Sequence, residues 1–159
     1  MGALMNSRLF MGATVIASAM TPVAARAERP VSFASDVFVE RFAPGANGGM
    51  TRVLERADRL KSGDRVIFVV NWKTDGAQPF TFVNPVPGTI AFQRSAEDRE
   101  DVSIDGGKSW GKLANLRVRE ADGSIRHATP DDVTTLRWRV PVQLAAAGTG
   151  QITYRGVVR

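Results

Sequence analysis

Apolar and polar residues alternate with a two-residue period through most of this chain, and that beat constrains the fold more than any other feature. It is strongest in Arg65 to Lys73 (RVIFVVNWK), where Val66, Phe68, Val70 and Trp72 share one face of an extended strand. The other face carries Ile67 and Val69, then Asn71 and Lys73. A strand apolar on both sides at its start and amphipathic at its end suits the centre of a layered sheet structure. β-branched residues and phenylalanine dominate the run, which favours strand over helix.

The same texture continues on both sides. Strands are predicted at Val37–Phe42, Thr51–Glu55, Phe80–Asn84, Thr89–Arg94, Asn115–Arg119, Ser124–His127, Thr134–Val140 and Gln151–Val158, with turn residues between them. Pro85 and Pro87 end one strand because proline cannot donate to a ladder. Val102–Trp110 reads as a tight hairpin around Asp105-Gly106-Gly107, and Asp122-Gly123 marks a second hairpin. Thr129-Pro130-Asp131-Asp132 fits one helical turn capped by Thr129. The best candidate for a longer helix is Leu54 to Leu60 (LERADRL). The resulting expectation is an all-β sandwich of about eight to ten short strands. Its inner face would take Val66, Phe68, Val70 and Phe92, then Leu116, Val118, Leu136 and Trp138, then Val140, Ile152 and Tyr154.

The N-terminus reads as an export signal. Arg8 lies in a short n-region without acids, Leu9 to Met20 is apolar, and Ala25-Arg26-Ala27 offers small residues where a signal peptidase reads them. The apolar run falls short of the roughly 20 residues that span a bilayer. The expected organisation is a cleavable signal peptide at 1–27, a flexible lead-in at 28–36 and a β domain at 37–159. Loss of Arg8 and Arg26 lowers the 21 basic residues to 19 against 16 acidic, a net charge of +3. That is a solubility-scale charge rather than a nucleic-acid signature. No later segment reaches transmembrane length. With no cysteine and one histidine, His127, neither disulfides nor a multi-histidine metal site can form within the chain. A periplasmic, extracellular or cell-surface location is expected.

Several motifs together resemble the conserved-repeat domains of exported bacterial surface and envelope proteins. They are Gly63-Asp64-Arg65-Val66-Ile67-Phe68, Asn71, Asp75-Gly76 and Val83-Asn84-Pro85-Val86-Pro87, in a single copy. The resemblance implies an immunoglobulin-like β-sandwich and no catalytic residues. It makes a structural or interaction module the expected role, without a cofactor. The partner would be another envelope protein or an anionic envelope polymer.

Ser103-Ile104-Asp105-Gly106-Gly107-Lys108-Ser109-Trp110 is similar to the Asp-box found in sialidase-type propellers. The chemistry of Ser103, Asp105, Gly107 and Trp110 is that of a stabilised hairpin: a carboxylate satisfies turn amides, and glycine takes the unusual dihedral angles. His127 stands without the glycine context of a serine-nucleophile elbow, so an enzyme is not expected. The acids Glu97, Asp98, Glu100 and Asp101 read as a solvated loop because Arg99 interrupts them. Trp72, Trp110 and Trp138 read as core rather than as a sugar platform. Arg117, Arg119, Arg137, Arg139 and Arg155 all fall on the polar phase of their strands. If those strands are neighbours, they make a basic face for an anion, the alternative role being a carbohydrate- or anion-binding module.

Overall fold

Residues 30–159 are described by a computed structural model, and antiparallel strands dominate them. The strands are β1 (Val31–Pro44), β2 (Met50–Arg56), β3 (Arg65–Thr74), β4 (Phe80–Pro85) and β5 (Ile90–Ser95), then β6 (Asp101–Ser103), β7 (Arg117–Arg119), β8 (Ile125–His127), β9 (Thr135–Val140) and β10 (Thr149–Val158). Two 3-10 turns, Leu113–Asn115 and Pro130–Asp132, and one short helix, α1 (Val142–Ala145), complete them. The expected signal peptide lies outside the described residues.

Among the described residues three sheets form, in the orders β2-β1-β3-β10-β5, β4-β9-β6 and β7-β8. β3 takes the central place that its two-sided apolar start predicts. It pairs with β1 on one edge and β10 on the other, and Ile67, on the phase opposite Val66 and Val70, is buried too. The five-stranded and three-stranded sheets feed one core. Val39, Val66, Val70, Phe92 and Tyr154 come from the first, and Val102, Leu136, Trp138 and Val140 from the second. Leu136 is wholly buried. Aromatic rings link the layers: Trp138 lies 5.7 Å from Tyr154, and Phe82 lies 4.8 Å from Phe33, centroid to centroid. The Tyr154 hydroxyl accepts a 2.7 Å hydrogen bond from Asn84 Nδ2. Burial pushes the Tyr154 phenol up to about 12, against the opposing effect of the Asn84 bond.

Three expectations need correction. Val31 to Asp36, read as part of a flexible lead-in, are the first half of β1 and pair with Val69 to Thr74. Ser32, Ser35 and the preceding Pro30 look loop-like, but the ladder is made by backbone groups that ignore side-chain identity. Leu54 to Arg56 extend β2 instead of opening a helix, because the ladder to Phe38–Glu40 satisfies their backbone. Val118 is only half-buried, since β7 and β8 pair with each other and not with the main sheets, whereas Leu116, also half-buried, does pack against the core.

β1 serves two partners. Val31 to Val39 pair with β3, and Phe38 to Pro44 pair with β2. Past Val39 the β1–β2 ribbon overhangs the sheet by five residues of β1, about 17 Å at strand rise.

Candidate functional site

The loop after β6 is closed by Val102 and Gly111, which exchange backbone hydrogen bonds of 2.8 and 3.1 Å. Ser103 Oγ donates to Asp105 Oδ1 (2.7 Å) and accepts from the Gly107 amide (2.8 Å). The Asp105 carboxylate accepts from the amides of Lys108 and Ser109 (3.0 and 2.9 Å) and from Ser109 Oγ (2.6 Å). The Ser109 hydroxyl and amide bonds, with that from Ser103, hold its carboxyl well below the usual range. Gly106 and Gly107 have φ of 74° and 92°, the left-handed region that favours glycine. Trp110 covers the Arg137 guanidinium at 4.3 Å from its ring centroid. The side-chain oxygens of Ser103, Asp105 and Ser109 are thus engaged within the loop itself.

The five arginines expected to share a face fall on three different sheets, which corrects that expectation. Arg117 and Arg119 are on β7, Arg137 and Arg139 on β9, and Arg155 on β10. Phase along a strand was readable, but strand order is set by pairings distant in sequence. Arg117 donates to the carbonyls of Ala114 and Leu116, and Arg119 to that of Gly123. Arg137 and Arg139 converge on Asp101 Oδ2 at 2.9 and 2.6 Å. Burial would push the Asp101 carboxyl up, but the Arg137 bond and both guanidinium charges hold it below its usual value.

A cationic face does exist elsewhere, on the outward phase of the five-stranded sheet. Register places Arg52, Arg56, Arg65, Lys73, Arg94 and Arg155 there, against Asp36 and Glu40. Glu40 is buried, and its Oε1 accepts from Arg155 (2.7 Å) and Arg52 (3.1 Å). Asp36 pairs with Arg56 at 3.0 Å. Arg94 stands directly across from Arg155, and Arg65 across from Val157. Both are exposed, and among the described residues neither has an acidic side chain at ion-pairing distance. Only Arg155 belongs to the set foreseen. The others were legible as outward residues on strongly patterned strands, but nothing local says that β10 inserts between β3 and β5.

The remaining candidates are placed as follows. His127 is exposed on β8, opposite Arg117. Trp72 and Trp138 are buried in the core, where a cleft of about 180 Å³ reaches them between the two sheets, rimmed by Glu97, Arg99 and Arg139. Glu100 is buried and takes a hydrogen bond from Ser95. Among the described residues, no group of three or more histidine, aspartate or glutamate side chains is placed to hold a metal ion. Compared with protein-family models, curated proteins and solved structures, the chain matches none.

Proposed function

We propose that the chain is an exported, non-catalytic interaction module of the bacterial envelope or secreted space, an immunoglobulin-like sandwich released from a signal peptide at 1–27. Two sheets sharing one core support the sandwich reading, and the motif resemblance supports the compartment. The observation that carries the interaction role is the outward face of the five-stranded sheet. It holds six cations against two acids, and Arg65 and Arg94 are left to meet an external anion. That favours the anion-binding form of the role, since unpaired exposed guanidinium groups recognise phosphate and carboxylate through forked hydrogen bonds.

The test is expression of the full chain in a Gram-negative host. The recovered protein is expected outside the cytoplasm, beginning at Glu28 and associated with the envelope fraction. It should leave that fraction between about 0.01 M and 1 M salt, as the screening length falls from about 30 Å to about 3 Å. An unprocessed chain confined to the cytoplasm, or no salt-sensitive association, overturns the reading.

A further inference from the structure

Three of the largest exposed apolar side chains, Phe42 (58%), Met50 (65%) and Leu54 (46%), stand close together on the overhanging β1–β2 ribbon. The register puts them on one side. Phe42 pairs with Arg52, Pro44 with Met50 and Glu40 with Leu54, so all share the phase that turns outward on the sheet. Contacts confirm the continuity, because Glu40 is held at once by Arg52 of the ribbon and Arg155 of β10. An apolar tip and a field of arginines therefore look the same way.

We propose that this surface docks on an anionic lipid bilayer, with Phe42, Met50 and Leu54 entering the headgroup zone and Arg65 and Arg94 meeting lipid phosphates. The inference rests on the anion-binding reading above and adds the bilayer as the source of the anion. Positive charge beside protruding apolar groups is the combination that holds peripheral proteins at anionic interfaces. The tip is also prepared to leave bulk water. Gly45 N donates to Gly49 O (2.7 Å), Gly48 N to Gly45 O (3.1 Å) and Gly49 N to Asn47 Oδ1 (3.3 Å), so the turn satisfies much of its own backbone. The free edge of β2 keeps unpaired backbone groups, which limits the depth to the hydrated headgroup layer.

A second copy fits less well. Antiparallel pairing of two β2 edges about a twofold axis centres on Val53 and sets Arg52 of each copy diagonally across from the other. It also leaves Phe42, Met50 and Leu54 uncovered. An acidic protein answers the arginines without accounting for the apolar tip.

The chain has no cysteine, so Ala46→Cys gives a single labelling site at the ribbon turn. The mature protein carrying an environment-sensitive dye there is mixed with phosphatidylcholine vesicles, with or without phosphatidylglycerol. Co-sedimentation and a blue-shifted emission are expected with the anionic vesicles, and neither with the zwitterionic ones. Joint Arg65→Ser and Arg94→Ser should weaken binding about thirty-fold. Phe42→Ser, at an exposed site, should keep the melting temperature and lose most of the emission shift. Co-sedimentation without any emission shift overturns tip entry, as does binding to soluble polyphosphate but not to vesicles. Both of those results leave the anion-binding reading standing. Failure to bind either probe removes both.

Discussion

The layered body and the overhanging ribbon are built from the same kind of strand, yet opposite things hold them. In the body, β9 and β3 bury alternate side chains against the facing sheet, and Leu136, Val66 and Trp138 lose almost all contact with water. In the ribbon, every residue of β2 is exposed. Among the described residues no second layer covers it, so its alternation has no core to serve there. Its order comes from the backbone ladder to β1 and from charge pairs at its root. Arg41 forks onto Asp64 at 2.5 and 3.1 Å, and Glu40 is shared by Arg52 and Arg155. Periodicity tells which residues point the same way; burial depends on whether a partner layer exists.

The contrast makes graded predictions. Leu136→Ala in the body should cost about 3–5 kcal/mol in denaturant unfolding, because it removes buried methyl groups and leaves a cavity. A loss below about 1 kcal/mol would mean the two sheets do not share a packed core. Gly150→Ala should cost about 1–3 kcal/mol, since the new methyl group would collide with the Trp72 indole. Glu40→Gln, at the junction, should cost only about 1 kcal/mol because both arginines retain access to water. Its larger effect should be on amide exchange in β2, which should quicken relative to β3.

Acid should act on the connecting loops. The carboxyls of Asp105 and Asp132 are held below their usual values, the first by Ser109 and Ser103, the second chiefly by the Arg126 hydrogen bond. A depressed folded-state value means their stabilisation is present above the unfolded value of about 3.9 and is lost as pH falls below it. Melting temperatures at pH 6 and pH 3 should therefore diverge less in Asp105→Asn than in the wild type. The smallest effect is expected at the tip. Phe42→Ser should change stability by no more than about 0.5 kcal/mol, because the side chain is mostly exposed. A loss as large as that at Leu136 would erase the distinction between the two regions.

The sequence made the strands readable where side chains alternate sharply, as in Arg65–Thr74, Thr135–Val140 and Thr149–Val158. It concealed the first half of β1, whose serines, alanine and aspartate carry no strand signal and whose order comes from the ladder to β3. The 3-10 turn at Pro130–Asp132 was visible because its chemistry is local: the Asp132 carboxylate accepts from the Thr129 amide at 2.7 Å. The four-residue helix α1 in the Pro141–Ala147 stretch was too short to leave a period. For the cationic face, the phase of each arginine was legible and its neighbours were not. Arg155 and Glu40 meet across 115 positions of chain, a separation no local pattern encodes.

One consequence follows from β1 running unbroken from Val31 to Pro44. The tip and the central layer belong to one continuous beam, clamped by β3 along Val31–Val39. A pull applied near Phe42 along the strand travels down that beam as shear across the whole clamp, which resists far better than a ladder unzipped from one end. A load taken at the protrusion would thus pass into the layer behind it without peeling its strands apart one by one.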